Sequence, residues 1–492
     1  MRRNAAISNR LERWLSPFTT VHPGEGARAV LLLVCIFLIM TAFYVMKTAR
    51  EALILTGGTF GLHGDELKTY ATGAMALLLI VLVPAYDALA DRHRRIRFIN
   101  LTYMVLLGSL IAFFLMGEAG LPIGFAYFVW FGLMSAFMVA QFWSYATDVY
   151  TEEQGKRLFA LIATGGTLGA IVGPNIAKLA STFTLMPVAA TLLVFAIILF
   201  NVVEHHAPRE RRQKDPIEGP GGFALVVGDR SLLLIAALLL LANIVNSTGE
   251  YLLSHAVREH AMALVPGTDA VAEAQRREVI KSFYSDFFLV VNTLSFLVQA
   301  FLVSRVIDKM GVRRALFILP VIAFGAYAAI GLIGGLAVVR AAKTAENAAD
   351  YSVQNTVWQT LFLRTDRAVK YKAKATLDTF FVRCGDALSA IVVAVGIHQL
   401  HFGSRELAFV NLGLVIAWLA VAVSIAHTER FLKREPHERR SMRHTSGLIY
   451  QSSSKRMRRG GVSTSSSWPD RTTQTNASTA PPAINSASGS TT

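Results

Sequence analysis

Apolar stretches of about 20 residues, the length an α-helix needs to cross a hydrocarbon layer, recur along most of this chain. They read as helices at roughly 29–54, 71–90, 97–117, 122–146, 158–180 and 182–203, then 231–253, 282–304, 313–334, 336–362, 374–397 and 407–427. The expected fold is an all-α polytopic membrane protein with twelve transmembrane helices in two six-helix pseudo-repeats. Composition agrees, since 16% charged residues against 53% hydrophobic ones lies outside the usual balance of a soluble domain. The boundary between the ninth and tenth helices is the hardest to place, because Arg340, Lys343, Glu346 and Asp350 interrupt it.

Segments fall out of this count. Residues 1–28 form an N-terminal segment, 29–203 a six-helix bundle, 204–230 a polar linker, and 231–428 a second bundle. Residues 429–492 are a basic, Ser/Thr-rich tail with too little apolar surface for a core, so disorder is expected there. Basic residues gather in alternate short loops, around Arg92 to Arg97, Lys156–Arg157, Arg209 to Lys214, Arg305 to Arg314 and Arg364 to Lys374. The loop at 254–281 carries as many acids as bases. That alternation places both termini in the cytoplasm of a cell with this chain in its inner (plasma) membrane. It also accounts for the net charge of +15 without nucleic acid as a partner. The arginines before His22 precede no short apolar core and cleavage site, so the first helix is expected to act as an uncleaved insertion signal. Cys35 and Cys384 both fall in predicted helices, which argues against a disulfide or a metal site. There is no catalytic triad, metal cluster or P-loop, so neither an enzyme nor a cofactor is expected; the expected partners are a small-molecule substrate and lipid, with the chain acting as a monomer.

Several predicted helices carry ionisable residues, which are costly in a bilayer unless they face protein, water or a ligand. In the first helix Lys47, Arg50 and Glu51 share a side, with Lys47 and Glu51 one turn apart. Either those two neutralise each other while Arg50 reaches the interface, or the three line a polar cavity. In the seventh, Asn243 and Asn246 precede Glu250; near the start of the eighth stands Asp286. The eleventh holds Asp378, Arg383 and Asp386, with the two acids expected on one face. Lys47, Arg50, Arg383, Asn243 and Asn246 are candidate substrate contacts, the asparagines having interhelical bonding as their commoner role. Glu51, Glu250, Asp286, Asp378 and Asp386 are candidates for coupling or gating. Glu250 and Asp286 stand out for proton coupling, because burial raises a carboxylate's pKa. In the fifth helix Gly165, Gly169 and Gly173, followed by Pro174, should let another helix approach closely, and Lys178 beyond them should snorkel.

The halves echo each other. Asp91-Arg92-His93-Arg94-Arg95-Ile96-Arg97 follows the second helix and Asp308-Lys309-Met310-Gly311-Val312-Arg313-Arg314 the eighth. Repeated six-helix halves are a transporter architecture with a midplane site between them. Asp91, Arg92, Asp308, Lys309 and Arg313 are then candidates for a gate whose charge pairs break and reform. The second copy resembles the cytoplasmic loop signature of the major facilitator superfamily, departing from it at Ser304 and Val312.

A narrower resemblance lies in Lys47-Thr-Ala-Arg50-Glu51-Ala-Leu, Phe142-Trp143-Ser-Tyr-Ala with Lys156-Arg157 following, Asn243-Ile-Val-Asn246, and Lys372-Ala-Lys374-Ala-Thr-Leu-Asp378. Together these stretches, spread over residues 27–430, resemble the ATP:ADP antiporter (nucleotide transporter) family. The resemblance implies a facilitator-like fold and cationic cavity residues that bind phosphates. It keeps the first-helix charges at Lys47, Arg50 and Glu51 and the acid at Asp378. A family carboxylate falls near Phe131, a lysine of the seventh-helix motif becomes Glu250, and a later lysine falls at Asp386. The function expected from sequence is an alternating-access transporter for an organic anion, with ATP/ADP-type nucleotides as candidate cargo. Its alternatives are a proton-coupled facilitator for another small solute, and a membrane sensor or scaffold acting through the basic tail.

Overall fold

A computed structural model describes residue 22 and residues 25–58, 61–92, 95–205, 220–362, 365 and 369–427. The first half contributes α1 (Gly26–Thr56), α2 (Gly64–Arg92), α3 (Arg95–Glu118), α4 (Gly124–Val149), α5 (Glu152–Lys178) and α6 (Leu185–His205). The second contributes α7 (Arg230–Leu264), α8 (Ala270–Phe301), α9 (Ile318–Leu332), α10, α11 and α12 (Ser404–His427). α10 joins Leu336–Ala349 to Asn355–Leu361 through a π turn at Asp350–Gln354. α11 runs without a gap from Val369 to Gln399, alternating π and α turns. Among the described residues nine helices are long and apolar enough to cross a membrane, or ten if α9 is joined to the helix Val303–Ala315, from which it bends by 76°. With α2 and the charge-bearing α10 these make the expected twelve.

Local chemistry sets several ends. Thr151 and Gln154 form a reciprocal capping box that opens α5, and the Asp229 carboxylate accepts from the Ser231 N–H to open α7. Within Val303–Ala315 the loop motif turns at Gly311, whose φ of 74° suits a residue without a Cβ.

Three expectations change. The segment 254–281 is almost wholly helical, since α7 runs to Leu264 and α8 starts at Ala270. Its charges reflect solvent rather than a loop, and they pair along the helix surface as Arg277–Glu273 and Lys281–Glu278. α2 starts at Gly64, so Asp65, Glu66 and Lys68 belong to its first turns. Part of the 204–230 linker is a short helix, Gly222–Gly228. The rest of that linker at 206–219, most of the N-terminal segment and the tail beyond His427 lie outside the described residues.

The glycine stripe of α5 does what its spacing suggests. A Cβ at Gly165, Gly169 or Gly173 would come within 2.3, 2.4 or 2.7 Å of the backbone oxygens of Leu33, Phe37 or Thr41. α1 and α5 therefore touch backbone to backbone along three turns. Around them the first half packs an apolar core that includes Ile36, Tyr103, Phe142 and Phe200. Cys35, in that core, donates to the Ala196 carbonyl; neither cysteine is in a disulfide.

Candidate substrate cavity between the halves

α1, α2 and α4 from the first half face α7, α8, α10 and α11 from the second across a cavity of about 580 Å³. That volume suits a small organic molecule. Its apolar walls are largely aromatic, from Phe43, Phe128, Phe131, Phe288, Tyr251 and Tyr351. Its ionised lining is Lys47, Arg50, Lys68 and Arg383 against Glu51, Glu250 and Asp386.

These charges are ordered rather than scattered. Arg50 pairs with Glu51 in α1, and the other Glu51 oxygen lies 2.7 Å from Lys68 Nζ in α2. Lys68 in turn stands 3.8 Å from Glu250 in α7. Glu250 lies 3.6 Å from Lys343 of α10, and Lys343 is 3.0 Å from Glu346. A ladder of alternating sign thus runs Arg50, Glu51, Lys68, Glu250, Lys343, Glu346, from one half of the protein into the other. Lys343 is 0% exposed, and an ammonium so buried persists only with partners. Besides its two carboxylates it donates to the Asn246 side chain, and Tyr327 donates to Glu346. Asn347 donates to Glu250.

Arg383 and Asp386 form a separate pair at 3.1 Å on α11, with Ser247 also donating to Asp386. Among the described residues, Lys47 is the one lining cation with no carboxylate at ion-pair distance. Its ammonium instead lies 4.4 Å from the Phe288 ring centre and 5.5 Å from that of Tyr44. Arg50 stacks over Phe128 at 4.6 Å and Phe131 at 5.3 Å.

At the end of the bundle away from the chain termini, the halves are bolted together. Lys68 donates to Ser254 at 2.8 Å, and His255 meets Asp65 at 2.7 Å. Glu278 accepts from the Thr182 hydroxyl at 2.8 Å, and Lys178 pairs with Asp286. Deeper in, Tyr44 donates to Asn292, which donates to the Ala170 carbonyl. At the end that carries the termini, the described ion pairs stay within one half: Arg95 with Asp148 and Glu204, Lys374 with Asp378. The described polar contacts that join the halves therefore gather at the far end, and no ion pair joins them at the end that carries the termini among the described residues.

The Major Facilitator Superfamily model matches residues 29–345. The chain belongs to that superfamily. No curated protein matches the sequence. Facilitator structures do match the fold. One is an auto-inhibited POT-family peptide transporter, at 12% identity and TM-score 0.59, over 84% of this chain and 98% of that one. Another is the nucleoside transporter NupG, at 13% identity and TM-score 0.55, over 82% and 99%. A bacterial homologue of the iron transporter ferroportin in an inward-facing state matches at 12% identity and TM-score 0.58, over 82% and 99%. This facilitator is thus a multi-pass membrane transporter by fold, and the likeness at such identity extends to fold alone.

The facilitator's cavity gathers Lys47, Arg50, Glu51, Asn243, Asn246, Glu250, Arg383 and Asp386, eight of the fifteen residues singled out from sequence. Lys47 and Glu51 do not neutralise each other, because Arg50 and Lys68 hold Glu51; nor does Arg50 reach away to an interface. Asn243 spends its side-chain N–H on the Leu239 carbonyl of its own helix, 2.8 Å away. Asp286 lies outside the cavity as the partner of Lys178, at the far end of α5. Asp378 also lies outside it, receiving a 2.7 Å hydrogen bond from Trp358. Asp378 and Asp386 lie eight residues apart, about 12 Å along the helix axis, and bond different partners, Trp358 and Lys374 for the first and Arg383 and Ser247 for the second. Asp308, Lys309 and Arg313 are exposed, with no ion pair among the described residues; the side chains of Asp91 and Arg92 lie outside the described set. Sequence reasoning missed Lys68, Lys343 and Glu346 as site residues. The signal available for the last two was their one-turn spacing in an otherwise apolar stretch, which shows only as an ambiguous helix boundary.

Proposed function

We propose that this facilitator carries an organic anion by alternating access, with adenine nucleotides as the first cargo to test. The observation that carries the reading is Lys47, the unpaired cation in a cavity whose other lining charges are matched. Four lining cations against three carboxylates leave one net positive charge, and aromatic faces on both halves suit a planar apolar body beside the anionic group. The sequence resemblance to ATP:ADP antiporters supports trying nucleotides, while the single surplus charge favours a cargo of low net charge. The basic loops support a cytoplasmic placement of both termini in an inner membrane, so the end without described cross-half ion pairs would face the cytoplasm; we propose a monomer as the working unit.

The test is uptake of labelled ATP, ADP and a panel of smaller aromatic and aliphatic anions into proteoliposomes, with and without the same anion inside. Uptake of at least one anion is expected, lowered about 10–100-fold in kcat/KM by Lys47→Ala, the loss of one charge-assisted hydrogen bond. No uptake of any anion by folded protein would sink the cargo reading. A proton-coupled facilitator for another solute is the second reading, favoured by Glu250 and Asp386 in the lining.

A further inference from the structure

The charge ladder crosses between the halves once, from Lys68 to Glu250, and that 3.8 Å step is its longest. We infer that this crossing couples the conformational switch to a proton: Glu250, sharing Lys343 with Glu346, takes up one proton as the far end opens, and the cargo anion takes its place beside Lys68. The inference rests on the alternating-access reading above.

Intact, the ladder is neutral, with Arg50, Lys68 and Lys343 balancing Glu51, Glu250 and Glu346. Opening the far end has to draw α2 away from α7, because Lys68 also donates to Ser254 there. The break leaves Arg50, Glu51 and Lys68 on the first half with one surplus positive charge. It leaves Glu250, Lys343 and Glu346 on the second with one surplus negative charge. Neither fragment is tolerable dry. A cargo anion neutralises the first. For the second, protonating a carboxylate removes the charge outright.

Glu250 is singled out by what faces it. From α1 and α2 come Lys47, Glu51 and Lys68, all of which leave with the first half. From α10 come Lys343, Glu346, Asn347 and the Tyr351 hydroxyl, and from α9 the Tyr327 hydroxyl behind Glu346, all of which stay. From α8 comes the neutral Tyr284 hydroxyl behind Ser254. The α11 pair Arg383–Asp386 is closed on itself. Glu51 and Asp386 therefore keep cations on their own half, and Glu250 alone among the lining carboxylates is left to share one. Asp65 and Asp286 also lose cross-half cations, but at the far rim, where opening admits water. In the state seen here Glu250 lines the cavity, so its proton can leave toward the end that carries the termini.

The test reads conformation and needs no cargo. Spin labels at Leu179→Cys and Val271→Cys, exposed far-end positions on opposite halves, are placed in the full chain with Cys35→Ala and Cys384→Ala, in lipid nanodiscs. Their distance distribution is measured across pH, with and without ATP as a probe anion. One coupled proton predicts that the open-to-closed ratio rises by up to about tenfold per unit of falling pH. Glu250→Gln, which mimics the protonated group, should be open at neutral pH and lose the dependence. Glu346→Gln is the companion variant; it frees Lys343 to pair with Glu250 alone, so it should keep a pH response, shifted to lower pH. A wild-type distance that ignores pH with and without ATP overturns the inference, as does a pH response retained in Glu250→Gln or lost in Glu346→Gln alone. Failure of uptake for every anion would leave this result standing, and a pH-blind distance would leave anion uptake untouched.

Discussion

Lys343→Met removes the middle of the second half's charge cluster while keeping an unbranched side chain one atom shorter. Lys343 is 0% exposed and sits between Glu346 at 3.0 Å and Glu250 at 3.6 Å. Glu250 keeps Lys68, but Glu346 is left buried with Tyr327 as its hydrogen-bonding partner. Removing one partner of a buried ion pair costs about 3–5 kcal/mol. At about 2–4 °C per kcal/mol for a unit of 150–250 residues, the melting transition should fall by about 6–20 °C. The measurement is thermal unfolding of the detergent-solubilised protein at one scan rate, since such transitions are kinetically controlled. The control is Lys343→Met with Glu346→Gln, which replaces the orphaned carboxylate with a neutral group that still bonds Tyr327. It should recover at least about 1 kcal/mol of the loss as coupling between the two sites. A single variant melting within about 2 °C of wild type, or a double variant no better than the single, would refute a ladder held together by its charges.

Three further outcomes follow from the packing. Gly169→Leu drives a side chain into the Phe37 carbonyl, 2.4 Å from where its Cβ would stand; α1 and α5 must part, and folded yield should collapse, whereas Gly108→Ala, with open space around it, should match wild type. Thr182→Cys with Glu278→Cys joins the halves at the far end, where these residues now hydrogen-bond; oxidation should abolish uptake and reduction restore it, and uptake surviving full cross-linking would contradict far-end opening. Burial pushes the Glu25 carboxyl up, but hydrogen bonds from Arg157, the His22 backbone and Gln154 outweigh it and hold the group below the ordinary carboxylate range. Its stabilisation is present above the unfolded carboxylate's pKa and is lost as pH falls through the depressed value, so Glu25→Gln should melt lower than wild type at pH 7 and converge with it in acid.

How far the sequence reaches differs from element to element. Lys47, Arg50 and Glu51 announce themselves because a charge inside an apolar run has few places to go, and their helix does bring them to the cavity. Lys68 gives no such sign: it follows Asp65 and Glu66 and reads as the polar edge of a loop, though it is 6% exposed and bridges the halves. Asp378 and Asp386 read alike on one predicted helix, yet Asp386 lines the cavity and Asp378, about 12 Å nearer the helix start, is held by Trp358 and Lys374 outside it. Asp286 reads like Glu250 on a line of letters, yet one closes the rim with Lys178 and the other faces the cavity.

What the sequence alone determines is whatever depends on each segment meeting lipid by itself. Hydrophobic length marks most of the spans, the polar stretch at 204–230 stands between two groups of six, and glycines at every fourth residue of α5 demand a close neighbour. Which charge answers which is decided by tertiary structure alone. Glu51 lies one residue from Arg50 but 17 from Lys68, and Lys68 is 182 residues from Glu250, so the ladder exists only where α1, α2, α7 and α10 converge. Coulomb attraction falls with distance in space and takes no account of separation along the chain.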